Sequence, residues 1–561
     1  MDSSINSKLK PVVGQEEAQE KPGRERGGWI TLPFIAGSML GLGLAVNGTT
    51  SNLLVYLLKE YNVESIDAAQ ITNIVRGSLN LVPVAGAVLA DSYLGYFPVI
   101  LAGAVINFLA FVLFTLTAAL PSLRPPHCTS SSTVGCHHGS TGQLVVLYAA
   151  IFLLAIGTGG TRFNIATMGA DQFGSTREQD TFFNWYFVFL YGSFIVGDTA
   201  IVYIQDSISW AMGFGVCLVA SVFSLAMLLL GARYYQMPAT KGSPYTDLAR
   251  VIGVAVRKAS IQVGTHAVVQ YNVGDGIAVD SGSDGAPSKS LRFLNRAAMI
   301  TTTTSNNSGG ASGPSASRLC TVQQVEDLKS LLGVFPLWSS GIMVSVSIGV
   351  MLGMIILQAL AMDRSLGPHF NIPAGAVSVC SLVAFIVATP VLDRAVFPLW
   401  HRITGTPASP LQRVGFGHVV NVAGLVAAAL VERRRLARMR THPGGTPMSV
   451  LWLLLPLSIV GAGEALHFPG NMAFYYLEFP KTLRSLATAM APMLVALGFF
   501  SSTMFMDVVR RTTAWLPGNI DQGRLDNVYW TLAVAATLNF GYFLVCVWRY
   551  KYHNRGTRVA T

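Results

Sequence analysis

Charged residues are scarce in this sequence. Only 12% of its 561 residues are Asp, Glu, Lys or Arg, whereas 51% are hydrophobic. Soluble domains carry about 25% charged residues, so this composition argues against a soluble protein and favours a surface that faces lipid. The six cysteines contain no Cys-x-x-Cys spacing, which leaves a metal site or a dithiol motif without support. No nucleophile motif or phosphate-binding glycine loop is found either, so we expect neither an enzyme nor a cofactor.

Long hydrophobic stretches dominate what is present. Twelve of them are close to the roughly 20 residues that cross a bilayer as a helix. They are residues 30–58, 71–90, 97–120, 143–168, 182–204, 210–231, 331–357, 372–392, 412–431, 448–468, 485–506 and 527–548. The long polar segment 232–328 divides them six and six. This pattern predicts an all-α membrane protein with two six-helix bundles, 30–231 and 329–548, and a substrate path between them.

The distribution of basic residues predicts the orientation. The segment 232–328 is rich in Lys and Arg, which places it in the cytoplasm, and with twelve spans the tails 1–29 and 549–561 follow it there. Its high content of Ser, Thr, Gly and Asn predicts that it is largely disordered. One segment opposes this topology, because the basic run Glu432–Arg435 would then lie outside.

Two further features are interpreted from the same topology. The net charge of +10 reflects basic loops and tails rather than a nucleic-acid partner. Cys128 and Cys136 lie in the predicted outer loop between spans 3 and 4, where they either form a disulfide or remain free thiols.

Several motifs then indicate a family. The segment Gly86–Gly95, with Asp91 at its centre, resembles the loop signature of the major facilitator superfamily, in which the aspartate contacts a neighbouring helix end. Further motifs resemble the plant nitrate- and peptide-transporter family (NPF) over about residues 30–550. They are Gly157–Arg162, Asp171–Phe173, Phe182–Asn184, Gly192–Ser193 and Gly461–Ala465. Ile66–Ile71, Leu123–Pro126, Ile372–Gly375 and Asp526–Trp530 also resemble the nitrate-excretion clade of that family. The resemblance implies the major facilitator fold and transport of a small solute.

The chain departs from the family at one motif of span 1. Members typically carry Glu-x-x-Glu-Arg (or Lys) there, which the resemblance links to proton coupling. At the matching positions this chain has Met39, Leu42 and Gly43. Because none of these side chains ionises, we do not expect proton symport through span 1, and the resemblance to the nitrate-excretion clade points to efflux or facilitated anion movement.

Ionisable residues within the spans are the first candidates for a site, since burying a charge in a membrane is costly. Arg162 matches a cavity position that is usually Lys in the family, and its planar guanidinium suits planar oxyanions. The alternative is a structural ion pair. Glu464 lies at a similar depth in the other bundle. We therefore expect the two to pair when the path closes toward the cytoplasm, with the anion competing for Arg162.

Other polar residues are weaker candidates. His467 lies on the same helical face as Glu464 and is either a substrate donor or a packing residue. Arg76 and Asp198 are further charges in the outer third of their spans, with gating and structural roles equally open, and Asp91 is either a latch or a solvated turn residue. Uncharged candidates for substrate binding are Asn47, Asn164 and Gln358.

The leading functional prediction is a nitrate transporter of the low-affinity or efflux type, working by alternating access in a plant plasma membrane rather than a tonoplast. A transporter of chloride, a peptide, a glucosinolate or a hormone on the same fold is the alternative. A transport-dead sensor and a channel-like leak are further alternatives. The expected partners are a small anion and the lipid bilayer, and the oligomeric state stays open.

Overall fold

A computed structural model of the chain describes most of its length. The described residues are 27–126, 139–237, 244–259, 270–274, 277–280, 286–288, 290–300, 319–368, 370–442, 445–480 and 483–550. Cys128 and Cys136 lie outside these ranges, so the predicted alternatives for them are unchanged.

Twelve helices in the described part of the chain are long and apolar enough to cross a membrane, which confirms the predicted number. In chain order, spans 1 to 6 are Trp29–Ser51, Ser65–Leu94, Tyr96–Ala119, Thr141–Ala170, Arg177–Ile208 and Trp210–Gly231. Spans 7 to 12 are Val322–Leu360, Ala374–Thr404, Pro410–Thr441, Val450–Glu478, Leu486–Thr512 and Leu525–Arg549. A further helix, Leu53–Tyr61, extends span 1 beyond Asn52. With twelve crossings both described ends lie on one side, here called the terminal face; the opposite side is the loop face.

The local sequence explains where several spans begin and end. Ser140, Thr321 and Ser409 each form a capping box with the Gln three residues later, so orphan amides are satisfied at the starts of spans 4, 7 and 9. Gly95 adopts φ 78° in the tight turn between spans 2 and 3, a conformation that costs a residue with a Cβ atom free energy. These capping and turn residues lie outside the hydrophobic stretches from which the spans were predicted. Most helices therefore extend further than the predicted spans.

Glycines allow the closest helix contacts in the first bundle. A Cβ atom on Gly86 of span 2 would lie 2.0 Å from the carbonyl oxygen of Gly159 in span 4. One on Gly160 would lie 2.8 Å from the carbonyl oxygen of Val99 in span 3. Small residues replace bulky ones at such contacts because helix association in lipid depends on close packing.

The segment between the bundles differs from the prediction of disorder. Its described parts contain a helix, Pro244–Arg257, an antiparallel hairpin of strands Gln270–Gly274 and Ile277–Asp280, and a short helix, Arg292–Asn295. Val251, Leu294 and Ala297 are buried in one apolar cluster with Val325 and Trp338 of span 7. In these described parts, a low hydrophobicity averaged over the whole segment conceals an amphipathic helix that packs on the second bundle.

Contacts between the bundles close the loop face. Arg510 at the end of span 11 binds Glu64 at 2.7 Å and Asp67 at 2.5 Å. Deeper in the membrane, the amide nitrogen of Asn73 donates to the carbonyl oxygen of Gly349 at 3.1 Å and to the Ser502 hydroxyl at 3.0 Å. The structure therefore represents a state in which the path is shut toward the loop face.

Candidate functional site

A cavity of about 290 Å³ lies between the bundles. Spans 1, 2, 4 and 5 of the first bundle and spans 7, 8 and 11 of the second contribute its walls. Its polar lining residues are Asn47, Thr50, Ser51, Arg76, Asn80, Thr158, Thr161, Arg162, Tyr186, Asp198, Ser378 and Ser381. Its apolar lining residues include Met39, Leu42, Ile165, Phe194, Leu352, Leu382 and Phe499. Two arginines and one carboxylate thus face the same enclosed space.

Arg162 occupies the part of the cavity toward the terminal face. Its Nη1 donates to the carbonyl oxygen of Leu79 in span 2 at 3.1 Å, which orients the guanidinium across the first bundle. Tyr186 and Tyr191 of span 5 interact with it electrostatically, and Arg162 forms no ion pair in the described part of the chain. A guanidinium that donates to a backbone carbonyl through one nitrogen retains further donors for an anion in the cavity.

Arg76 and Asp198 line the part of the cavity toward the loop face. The Ser51 hydroxyl donates to the Asp198 carboxylate at 2.5 Å. Arg76 and Asp198 interact electrostatically without forming a direct ion pair. Arg76 lies three residues before Leu79 on span 2, so its backbone is about one helical turn from the carbonyl that holds Arg162. The sequence identified both charges, and the structure brings them to one end of the site.

The three span 1 positions at which the family resemblance predicted an ionisable motif face the same cavity. Met39, Leu42 and Gly43 are all lining residues. The Asn47 amide nitrogen donates to the carbonyl oxygen of Gly43 at 3.0 Å, so this predicted substrate residue is in the cavity with one amide hydrogen used locally. At these three positions span 1 therefore gives the cavity an uncharged wall.

Glu464 lies in span 10 and does not pair with Arg162 in this structure. Neither an ion pair nor a hydrogen bond involves its side chain within the described part of the molecule. Tyr191 interacts electrostatically with both Glu464 and Arg162, so this phenol lies near both charges. The predicted pair is thus separated in the state that is closed at the loop face.

Two residues predicted to bind substrate belong instead to the interior of the second bundle. His467 is fully buried, bonds to the Asn471 amide at 3.0 Å and packs its ring edge-on against His418. Gln358 donates to Glu432 at 2.6 Å and accepts from the Tyr529 hydroxyl at 3.0 Å. Neither lines the cavity, and their bonding indicates packing roles.

The remaining predicted residues have local partners. Asn164 is buried and its amide donates to the carbonyl oxygen of Gly160 at 2.9 Å, away from the cavity lining. Asp91 accepts a hydrogen bond from the Tyr96 hydroxyl at the turn between spans 2 and 3. Tyr245 of the helix Pro244–Arg257 also interacts electrostatically with Asp91. Asp91 therefore contacts its neighbours at the terminal face, as the loop signature implies.

Sequence reasoning missed several polar residues of the cavity lining. They include Ser51, Tyr186, Ser378 and Ser381. It also missed Tyr191, which interacts electrostatically with both Arg162 and Glu464. Serine and tyrosine within an apolar span carry too little signal alone to be selected.

Comparisons with known proteins decide the family. The sequence profile PTR2, described as the POT family, matches residues 97–521, which is more than half of the chain. The chain belongs to the POT family. Among members of this family, Protein NRT1/PTR FAMILY 2.3 of Arabidopsis thaliana is 45% identical and covers 97% of each chain. Protein NRT1/PTR FAMILY 2.7 of the same plant is 44% identical over 99% of this chain and 98% of its own. The plant NPF resemblance is thereby confirmed.

Solved POT structures share the fold. The crystal structure of an auto-inhibited POT family peptide transporter matches with a TM-score of 0.69 at 16% identity, covering 93% of this chain and 97% of that one. The in meso crystal structure of the POT family transporter PepTSo also gives 0.69, at 15% identity and 93% and 99% coverage. Together with the twelve spans they confirm the major facilitator fold, and the POT chain described here is a membrane transporter rather than an enzyme.

Proposed function

We propose that this POT protein transports a small inorganic anion, nitrate first among them, by alternating access between the two faces of the membrane. The observation that carries the proposal is Arg162, a guanidinium that lines the cavity between the bundles and pairs with no acidic residue among those the structure describes. A planar fork of donors matches the planar oxygens of nitrate better than a point charge does.

The electrostatics of the cavity also favour an anion. Its described lining contains two arginines and a single carboxylate, Asp198, which accepts a hydrogen bond from Ser51. Met39 and Leu42 add no charge on span 1. A cationic solute would meet uncompensated positive charge in a medium of low dielectric constant, where repulsion is strong.

Glu464 supplies the gate in this proposal. When the path closes toward the terminal face, Glu464 approaches Arg162 past Tyr191, and the pair neutralises both charges. An anion that binds Arg162 competes with Glu464 and releases that closure. The separation of the two residues in the present state, which is closed at the loop face, is consistent with such an exchange of partners.

The decisive experiment is nitrate flux into vesicles containing the purified protein, with voltage and pH gradient set independently. Arg162→Ala should lower the flux to the level of protein-free vesicles, whereas the exposed Arg511→Ala, whose partner Asp507 is on its own helix, should leave it unchanged. Glu464→Gln should alter the rate without abolishing binding. Unchanged nitrate flux in Arg162→Ala would refute the proposal.

A second substrate class has one observation in its favour. A cavity of about 290 Å³ is close to the lower limit, about 300 Å³, of pockets that bind small organic molecules. Apolar side chains such as Phe194, Leu352 and Phe499 line part of it. An organic anion would use Arg162 for its charged group and these side chains for its body. Competition of chloride, a peptide, a glucosinolate and a carboxylate hormone against nitrate uptake ranks the candidates.

We further propose a location for the protein and a direction of transport. The protein lies in the plasma membrane with its terminal face in the cytoplasm, and the net movement of the anion is outward. The basic segment between the bundles and the family resemblance support this arrangement. The orientation is tested by protease protection of a tag at residue 561 in sealed plasma-membrane vesicles of known orientation. The direction of transport is tested by measuring nitrate release from preloaded cells.

A further inference from the structure

A carboxylate of span 5 is held beside span 1 at the edge of the cavity. Asp198 lies in the π-helical turn Gly197–Ile201, and turns of this kind often occur at functional sites. Gly197 lets the turn approach span 1 closely, since a Cβ atom there would lie 2.9 Å from the carbonyl oxygen of Leu44. The Ser51 hydroxyl donates to the Asp198 carboxylate at 2.5 Å, and both residues line the cavity. The local backbone therefore fixes one carboxylate at the substrate path.

Arg76 of span 2 lines the same cavity and keeps an unused donor. It interacts electrostatically with Asp198, yet the two side chains form no direct ion pair in the described structure. The Nη1 atom of Arg76 is buried and has no hydrogen-bond partner among the described residues. A buried guanidinium nitrogen without an acceptor is costly. Arg76 can therefore donate to a small anion while Asp198 balances part of its charge.

The described lining residues carry three charges in all. Arg162 of span 4 and Arg76 contribute two positive charges, and Asp198 contributes one negative charge, so the lining has a net charge of +1. Tyr186 is a neutral phenol near pH 7, and the other lining residues do not ionise. Glu464 lies outside this lining. A single monovalent anion is therefore enough to neutralise the cavity.

We propose that Asp198 sets the valence of the anion that this cavity accepts, by lowering the charge of the lining to a value that one monovalent anion neutralises. This inference rests on the proposed anion transport and narrows its substrates to anions of single charge. An excess charge is unfavourable inside a membrane protein, and it acts strongly there because the effective dielectric constant is low. Nitrate or chloride leaves no excess charge in the cavity, whereas sulfate leaves one negative charge.

Substitutions at the two neighbouring charges change this balance in known steps. Asp198→Asn leaves the two arginines alone and raises the lining charge to +2, which a divalent anion neutralises. The double variant Arg76→Gln with Asp198→Asn keeps only Arg162 and returns the lining charge to +1. It lacks both side chains and still has the charge balance of the unmodified chain. Comparison of the two variants therefore separates an effect of charge from an effect of altered packing.

Perchlorate and sulfate are the probes, because both are tetrahedral oxyanions of similar size and they differ in charge. Their affinities for the purified full-length protein are measured by isothermal titration calorimetry in neutral buffer. Sulfate is also the more strongly hydrated ion, so the sulfate-to-perchlorate affinity ratio is compared between variants. The unmodified chain should bind perchlorate more tightly than sulfate. Asp198→Asn should raise the ratio at least about tenfold, as expected for one unit charge at an effective dielectric constant of about 20.

Three further variants complete the experiment. The double variant should return the ratio to that of the unmodified chain. Asp507→Asn is the matched control, because it removes the same charge from span 11 outside the cavity lining and should leave the ratio unchanged. Arg76→Gln alone guards against misfolding of Asp198→Asn. It lowers the lining charge to zero, so the ratio should fall instead of rising.

Several outcomes would overturn the inference while leaving anion transport intact. They are an unchanged ratio in Asp198→Asn, a double variant that behaves like Asp198→Asn, and a ratio that rises in Arg76→Gln. An equal rise in Glu464→Gln would overturn it as well, because the preference would then come from the field of the whole protein rather than from Asp198. If the unmodified chain binds neither nitrate nor perchlorate, the proposed function itself fails.

Discussion

Arg510 of the second bundle holds Asp67 of the first bundle at 2.5 Å and Glu64 at 2.7 Å. Both ends of this contact follow from helix electrostatics. Glu64 and Asp67 lie at the start of span 2, where a negative charge stabilises the helix dipole, and Arg510 lies in the last turn of span 11, where a positive charge does. Each charge therefore stabilises its own helix, and the two helix ends meet across the path at the loop face.

Arg510→Ala should shift the protein toward states open at the loop face. The three charges are partly exposed, so the loss is at most about 1 kcal/mol, or about a fivefold change in population. A cysteine at Ser378 in the cavity, in a background without native cysteines, should react faster with an impermeant thiol reagent applied from the loop face.

Arg511→Ala is the matched control for this experiment. Arg511 pairs with Asp507 one turn earlier in the same helix at 2.9 Å, so its removal does not separate the bundles. Equal labelling rates in the two variants would show that the Arg510 contact does not close the path.

A buried ion pair in the second bundle should be essential for stability. Arg435 donates two hydrogen bonds of 2.8 Å to Glu432, which is fully buried. Arg435→Ala would leave that carboxylate without its cation, at a cost of about 3–5 kcal/mol. The apparent melting temperature in detergent should fall clearly. Arg434→Ala is the control, because Arg434 is an exposed neighbour that lies 4.4 Å from the centre of the Trp452 ring. Its removal should change the melting temperature little. A similar fall in the melting temperature of both variants would contradict an essential role for the Arg435–Glu432 ion pair.

A single methyl group should disrupt the first bundle at Gly86. Its Cβ atom would lie 2.0 Å from the Gly159 carbonyl oxygen, and backbone cannot move aside as a flexible side chain can. Overpacking of this kind costs about 1–3 kcal/mol or more. Gly86→Ala should therefore reduce the yield of monodisperse protein in size-exclusion chromatography. Gly215→Ala is the control, since a Cβ atom there meets nothing within 4 Å. Equal yields would refute the close packing.

The sequence predicted the spans and the cavity charges well. Hydrophobic length is a strong signal, and a lone Arg162 or Asp198 in an apolar stretch stands out because burying it is costly. Gln358 and His467 were selected by the same reasoning, and both lie in the interior of the second bundle in this structure. The spacing of residues along a helix shows which side chains share a face. Which of these faces lines the cavity depends on how the helices pack against one another.

The sequence also could not predict how side chains on different helices lie relative to one another. Depth along the helices placed Arg162 and Glu464 at one level, but it did not reveal that Tyr191 interacts electrostatically with both. The segment Glu432–Arg435 was predicted to be an outer loop that conflicts with the topology. It continues the helix of span 9 to Thr441 instead, and Glu432 pairs with Arg435 one turn later. Local ion pairing between adjacent turns explains the basic run at the loop face without a change in the number of spans.

The helix Pro244–Arg257 offers a final prediction about the segment between the bundles. Val251 on its buried face is fully covered by the apolar cluster beneath span 7, whereas the next residue, Ile252, is 50% exposed. Cys320 is buried in the same cluster, and burial raises the pKa of its thiol. A buried thiol with a raised pKa reacts slowly, because the thiolate is the nucleophile. Cys320 should therefore resist alkylation near neutral pH, and the segment should hold its docked position against the second bundle.

Val251→Asp should release this helix and expose Cys320, since a carboxylate buried among apolar side chains is unfavourable. Alkylation of Cys320 by a maleimide, followed by mass spectrometry of the peptide, should accelerate at least about tenfold, which corresponds to about 1.4 kcal/mol of lost docking free energy. Ile252→Asp, one position along the helix, places the same charge in solvent and should leave the rate unchanged. Rapid alkylation of Cys320 in the unmodified chain, or equal rates in the two variants, would mean that the helix is not docked on the second bundle.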